Sequence, residues 1–284
     1  MTKQQTITAG VDGSPNSLDA AGWAAREALR RDLPLHVVHA CDPPAEDNRL
    51  PEFDVPFHRE AGALGRAVQQ LTRAYPALGI LDEQVTGRPT GALLAAARSS
   101  ALLVLGSHGS GALSRVLVGS VALAVAARAS CPVALVRAGH RPEGEHRGSA
   151  AAHHNPVVLG LDLDRPGDEL LEYAFDAAAS RQAPLHVVHV WTAPLVHSAD
   201  ALEPMPEKER LLAAELSSWR HKFPGTEVTE RVVHGLAGHH LVEAASTADL
   251  LVIGRCVPTG PHLGQTAHSA IHHSRCPVVI VPHY

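Results

Sequence analysis

The sequence predicts an α/β protein of two tandem doubly wound domains, each a five-stranded parallel sheet with helices on both faces. Three observations lead there. The chain repeats itself: "PLHVVHA" from Pro34 returns as "PLHVVHV" from Pro184, and "AGVDGSP" (Ala9 to Pro15) faces "LGLDLDRP" (Leu159 to Pro166), which aligns Asp12 with Asp162. "LLVLG" (Leu102 to Gly106) matches "LLVIG" (Leu250 to Gly254), and "CPVALV" from Cys131 matches "CPVVIV" from Cys276. Four anchors in the same order mark a tandem duplication, with the second copy slightly shorter. Strand-like and helix-like segments alternate, the rhythm of parallel βαβ units. The runs "LLVLG" and "PVALV" are continuously apolar, as strands covered on both faces should be.

The elements follow in order. A β-rich run from Ile7 to Asp12 precedes a helix with Ser14 as N-cap and Pro15 at its first position. That helix runs to about Arg30, and Ala20, Ala21, Ala24, Ala25 and Ala28 supply its packing face. Then come a strand over Leu35–Ala40, a long loop, a helix around His58–Ala74 and a strand over Ile80–Thr86. A helix over Thr90–Arg98, a strand over Leu102–Leu105, a helix over Gly119–Arg128 and a strand over Pro132–Val136 complete the copy. The polar, Gly-, Pro- and His-rich stretch "RAGHRPEGEHRGSAAAHHNP" from Arg137 reads as the join. The expected boundaries are a first domain over 1–138, a linker over 139–155 and a second domain over 156–284.

Composition narrows the function. At roughly 150 residues per domain, 284 residues fit two domains. Hydrophobic content is 45% but aromatics are only 4%, so the cores are built from Ala, Val and Leu. Net charge is −5, and the lysines are Lys3, Lys208 and Lys222 alone. That balance argues against a nucleic-acid or anionic-membrane surface, both of which need a basic patch. The N-terminal residues lack an apolar leader and no run reaches the ~18 apolar residues of a membrane span, so a cytoplasmic protein is expected. Cys41, Cys131, Cys256 and Cys276 form no C-x-x-C pair and read as free thiols of a reducing compartment, Cys131 and Cys276 as buried structural ones.

The most informative stretch is "LGSHGSGALSRVLVGSV", Leu105 to Val121, between a strand and a helix. Gly106, Gly109, Gly119 and Ser120 form the pattern G-x2-G-x9-G-S. In doubly wound sheets ligands bind at the carboxyl ends of strands, near the topological switch point. Glycines let backbone N–H groups approach an anion, and a helix N-terminus favours phosphate through its open N–H groups and dipole. The stretch therefore reads as a phosphate cradle. It is not a P-loop, a G-x-G-x-x-G fingerprint or a G-x-S-x-G elbow, none of which occurs here.

These residues resemble those of tandem-domain universal stress proteins of the actinobacterial type, in their ATP-binding branch. The resemblance rests on "GVDGS" (Gly10 to Ser14), "HVVHA" (His36 to Ala40), "VTGRP" (Val85 to Pro89), "GSHGSGALSRVLVGSV" (Gly106 to Val121) and "CPVALV", and it spans both halves. It implies strand order 3-2-1-4-5, bound ATP with or without Mg, and association through the last strands, either as a homo-oligomer or as a pseudo-dimer of the two domains. It places Asp12 against the base and ribose, with Gly10 and Val11 beside it, and gives Ala40 a backbone contact to adenine. Gly106, His108 and Gly109 would line the phosphates from one side, and Gly119, Ser120 and Val121 from the helix end. Arg115 reads equally as a phosphate contact or a solvated loop residue.

The second copy departs from this pattern. "GRCVPTGPHLGQT" keeps Gly254 and Gly264 but has Val257 in the place of the second glycine and Gln265 in that of the serine. The interval between the two retained glycines is three residues shorter than in the first copy. Val resists positive φ, Pro258 and Pro261 remove donors, and Asp164 replaces Ser14. The expectation is weak or no ATP binding there, and a role as scaffold, regulatory surface or site for a different ligand.

Twenty histidines invite a metal site, but adjacent pairs such as His153/His154 point apart and His268/His272 lack a third ligand. No metal site and no catalytic residue are assigned. Asp12 has no second acid, base or lysine beside it for phosphoryl transfer. The reading is an ATP-binding stress-response module with an unidentified protein partner. Slow ATP hydrolysis, or partner binding without nucleotide, stays open.

Overall fold

The computed structural model describes residues 5–41, 55–107, 118–137, 139, 155–192 and 205–284. The chain divides into two compact units, Met1–His140 and Arg141–Tyr284.

The first unit alternates strands and helices: β1 (Thr6–Gly10), α1 (Pro15–Arg30), β2 (Leu35–Cys41), α2 (Val55–Ala74), β3 (Ile80–Thr86), α3 (Pro89–Ala97), β4 (Ser100–Gly106), α4 (Ser120–Ala126) and β5 (Val133–Val136). All its strand pairs are parallel, and the order is β3-β2-β1-β4-β5. This is the 3-2-1-4-5 sheet expected above, with its switch point between β1 and β4. Helices α1 and α2 pack together, as do α3 and α4, and each pair contacts the sheet.

The local reasons are visible. Ser14 caps α1, its side chain accepting from Ser17 N at 3.2 Å, with Pro15 in the first turn where a missing N–H is harmless. Ala20, Ala21, Ala24, Ala25 and Ala28 are all 0% exposed, so the small-residue stripe of α1 does lie against the sheet. Its Glu27 is also fully buried, and ion pairs to Arg31 at 2.8 Å and Arg30 at 3.3 Å satisfy it. β4 begins two residues earlier than the apolar run suggests. Ser100 pairs with Thr6 across an irregularity in the ladder, and its hydroxyl meets Thr8 Oγ1 at 2.6 Å. α4 is shorter than the sequence suggests: Gly119 is an extended N-cap (φ −61°, ψ 141°) and Ala127 closes the last turn.

The second unit repeats the plan with β6 (Val157–Gly160), α5 (Asp168–Arg181), β7 (Leu185–Trp191), α6 (Met205–Lys222), β8 (Val228–His234), α7 (Ala237–Ala244), β9 (Leu250–Cys256), α8 (Gln265–His273) and β10 (Val278–His283). Its parallel pairs give the order β8-β7-β6-β9-β10, the same topology shifted by five strands. Of the stretch expected to join the domains, Gly139 donates its N–H to the Asp19 carboxylate of α1 at 2.8 Å, which ties it to the first unit. Residues 140–154 lie outside the described residues. Among the described helices none is long and apolar enough to cross a membrane.

Candidate functional site

In the first unit, the chain leaving β1 is held in place by its neighbours. Val11 N–H donates to Val38 carbonyl at 2.9 Å. His39, buried at the end of β2, donates from Nδ1 to Val11 carbonyl at 2.7 Å. The carbonyl can only accept, so this contact fixes the tautomer. The second histidine of "HVVH" is thus a clamp on the β1 terminus rather than a ligand, and His189 does the same for Leu161 at 3.0 Å in the second unit.

Asp12 follows. Its Oδ1 accepts from Ser14 N–H at 2.9 Å, and its own N–H donates to Ser17 Oγ at 3.3 Å. Gly13, at φ +81°, makes the turn between them; a Cβ there would stand 2.8 Å from that of Ala63. Partial burial works to raise the Asp12 pKa, but the hydrogen bonds from Ser14 and Ser17 outweigh it and hold the carboxyl below its ordinary value. Asp12 is therefore a fixed, ionised acceptor at neutral pH.

Across the switch point, β4 ends at Gly106, against which the first turn of α1 packs so closely that a Cβ would meet Asn16 carbonyl oxygen at 3.0 Å. Ser107 N–H bonds Val136 carbonyl at 2.8 Å, and Gly119 N–H returns to Ser107 carbonyl at 3.2 Å. That bond draws together the two ends of the intervening segment. α4 then begins without a side-chain cap, so the first-turn amides after Gly119 have no partner within the helix.

These pieces enclose a cavity of about 300 Å³ at the carboxyl ends of β1, β2 and β4. Of the residues singled out in the sequence, the structure brings Gly10, Val11, Asp12 and Ala40 to its lining from the β1 and β2 side. Gly106, Gly119, Ser120 and Val121 come from the β4 and α4 side. His108, Gly109 and Arg115 lie outside the described residues. Sequence reasoning did not place Pro89 and Leu93 of α3 or Ser17 of α1 at the cavity. Leu93 lies over Gly10, and Pro89 closes the "VTGRP" segment that carried part of the resemblance.

The equivalent edge of the second unit holds a larger cavity, about 630 Å³. Asp162 keeps the turn seen at Asp12, accepting from Asp164 N–H at 3.1 Å. The loop after β9 differs. Val257–Thr259 forms a 3-10 turn whose donors are used internally: Gly260 N–H bonds Val257 carbonyl at 3.0 Å, His262 N–H bonds Gly260 carbonyl at 2.9 Å, and Thr259 Oγ1 bonds Cys256 carbonyl at 2.8 Å. Both Asp162 and Asp164 line this cavity. The cationic side chains around it, Arg165, Lys208 and Arg255, have no counterpart among the described residues lining the first. Among the described residues no group of three or more His, Cys, Asp or Glu could hold a metal ion.

A tandem pair of doubly wound units, each with a cavity at the switch point, defines a class of α/β proteins, and comparison with known proteins narrows it. The model of the Universal stress protein family matches residues 4–137 and 154–282, one match per unit. The universal stress protein Rv2005c of Mycobacterium tuberculosis (strain ATCC 25618 / H37Rv) is 31% identical over 296 residues, covering 98% of this chain and 97% of that one. Rv1996 of the same strain is 31% identical over 323 residues, covering 99% and 96%. The crystal structure of a universal stress protein from Archaeoglobus fulgidus DSM 4304 superposes with a TM-score of 0.68 at 19% identity, covering 99% of both chains, a likeness of fold. The chain belongs to the universal stress protein family.

Proposed function

We propose that the protein is an ATP-binding stress-response module whose first unit holds the nucleotide and whose association with partners follows nucleotide occupancy. The observation that carries this reading is the cavity at the β1/β4 switch point, where an ionised carboxylate faces an uncapped helix start across a bare glycine edge. The residues suit the ligand. Asp12 is an acceptor for ribose hydroxyls, and the Ala40 backbone stands where adenine would be read. Gly106 lines one side of the phosphates on this reading, and the family resemblance assigns His108 and Gly109, outside the described residues, to the same side. Gly119, Ser120 and Val121 offer amide and hydroxyl donors from the other. About 300 Å³ lies at the lower end of small-molecule sites.

The reading is of a binding module. The described lining of the first cavity carries Asp12 as its single acidic side chain and no basic one, so among the described residues neither a proton shuttle nor a cation for the leaving phosphate is at hand. Slow hydrolysis is measured as phosphate release by the purified chain. Self-association belongs to the same reading and is tested by light scattering with and without ATP. The direct experiment is chromatography of the nucleotide released on denaturing freshly purified protein. ATP in the supernatant, reduced in Ser120→Ala, supports the reading. Nucleotide-free protein that also fails to take up added ATP points to partner binding alone.

A further inference from the structure

The two units differ in what fills the space over the glycine that β4 and β9 share. In the first, a Cβ on Gly106 would meet the Asn16 carbonyl oxygen at 3.0 Å, because the start of α1 packs directly against the strand. In the second, a Cβ on Gly254 would meet the imidazole of His283, with Nε2 at 2.6 Å and Cδ2 at 2.8 Å. The other side of the ring lies against the start of α5, where a Cβ on Gly167 would stand 2.5 Å from Nδ1. The imidazole is thus a wedge between the end of β9 and the start of α5. His283 ends β10, in register with Cys256, and is 5% exposed. Its Nδ1 is buried with no hydrogen-bond partner among the described residues. Gly167 is the N-cap of α5 at φ +64°, so a side chain there would be strained as well as in the ring's place. The first repeat has Ala138 at the place in the sequence that His283 takes in the second.

The slot favours a neutral ring. It lies at the N-terminal end of α5, whose dipole opposes a positive charge. Burial lowers the His283 pKa from its ordinary 6.5. Glu169 from the first turn of α5 and Asp162 from the turn after β6 pull the other way, and Arg165 from that turn and Arg255 from β9 add to the lowering. Tyr284 acts in turn on Arg255. Glu169 and Asp162 are exposed, as are Asp164 and Asp168 of the same segment. A charged ring that leaves the slot therefore gains water and nearby carboxylates.

We propose that His283 is an acid-sensitive latch on the second unit: as a neutral ring it fills the slot between Gly167 and Gly254 and joins α5 to the end of β9, and as a cation it swings out toward Glu169 and Asp162 and frees the start of α5. Asp162, Arg165, Gly254 and His283 all line the second cavity, so the latch opens that cavity's edge. The stability of the closed slot is complete above pH 6.5 and is lost as the pH falls from 6.5 through the lowered folded value. One proton sets the limit, so opening rises by at most about ten-fold per pH unit. The latch belongs to the second unit alone and does not rest on nucleotide binding in the first.

The test is hydrogen exchange of the full chain, read by mass spectrometry from pH 7.5 to 5.0 and corrected for intrinsic exchange. The amides of Leu170 and Leu171 bond the Gly167 carbonyl at 3.2 and 3.3 Å. In the wild type their protection should fall roughly three-fold or more across that range, within the one-proton limit. Leu18, whose amide bonds the Ser14 carbonyl at 3.1 Å in α1, should keep its protection. His283→Gln removes the titrating ring and should flatten the profile at Leu170 and Leu171. Should that variant fail to fold by circular dichroism, deuterium exchange at the His283 ring carbon of the wild type decides, since it reads that ring's own titration, expected below 6.5. Flat protection in the wild type, the same loss in His283→Gln, an equal loss at Leu18, or a His283 ring that titrates at its ordinary value or above would each overturn the latch.

Discussion

Replacing Asp12 by Asn separates what the carboxylate does for the ligand from what it does for the turn. The Asn side chain keeps an oxygen at the Oδ1 position, so the 2.9 Å bond from Ser14 N–H survives and the start of α1 is undisturbed. What is lost is the charge, and with it one or two charge-assisted bonds to ribose hydroxyls. Each is worth about 1.5–3 kcal/mol, or roughly ten-fold or more in affinity. On the proposed placement, with Asp12 at the nucleoside end and Gly119 and Ser120 at the phosphate end, inorganic triphosphate should bind the variant nearly as well as the wild type. The carboxyl is held below its ordinary pKa of 3.8, so it is ionised above pH 5 and the ATP difference between the two proteins should stay flat from pH 5 to 8. Its contribution to folding is present above the unfolded-state pKa and fades only as pH falls through the lowered folded one. Calorimetry with ATP and triphosphate on both proteins decides. Equal weakening of the two ligands would refute the placement of Asp12 at the nucleoside and show that it acts through the loop or the fold.

Three further outcomes are expected. Ser120→Ala removes one donor from the cavity edge and, on the proposed placement at the phosphates, should weaken both ATP and triphosphate roughly ten-fold by calorimetry. Ser14→Ala removes the cap on Ser17 N–H at 3.2 Å and should lower the stability of the first unit by ~1 kcal/mol in urea unfolding; an unchanged midpoint would mean that Pro15 alone sets the helix start. Cys131, whose thiol burial pushes up to about 12, should resist iodoacetamide at pH 8 in the folded protein, while the half-buried Cys256 is labelled first, as read by mass spectrometry.

Much of the fold was legible because the signals are local. Ser14 and Pro15 mark the start of α1, the alanine stripe marks its buried face, and the apolar runs mark β4, β5, β9 and β10. The strand order came from the family resemblance, which the β1–β2 and β1–β4 ladders bear out. Boundaries were less legible where a partner decides them. Ser100 joins β4 only because Thr6 and Thr8 stand opposite, and Gly119 leaves α4 because its backbone turns extended to bond Ser107. Around the first cavity, Gly106, Gly119 and Ser120 could be read from motif spacing, while Gly10, Val11, Asp12 and Ala40 came from the family resemblance. Leu93 could not, because it reaches the cavity from mid-helix by packing over Gly10. In the second unit, Trp191, Lys208, Arg255 and His283 come from four separate elements. No pattern along the chain announces them, and only the shared carboxyl edge of the sheet brings them together.

The central claim is an asymmetry between two like folds: one edge shaped for a nucleoside triphosphate and one that is not. Both helix starts, at Gly119 and at Gly264, lack a side-chain cap, but at the second cavity the amides of Gly260 and His262 are taken by their own turn and Asp164 joins Asp162, where the described lining of the first has Asp12 as its single carboxylate. Equilibrium dialysis with radiolabelled ATP measures it directly. The account predicts about one tight site per chain, weakened by Asp12→Asn and untouched by Asp162→Asn. Two equivalent tight sites, or one that responds to Asp162→Asn rather than Asp12→Asn, would contradict it.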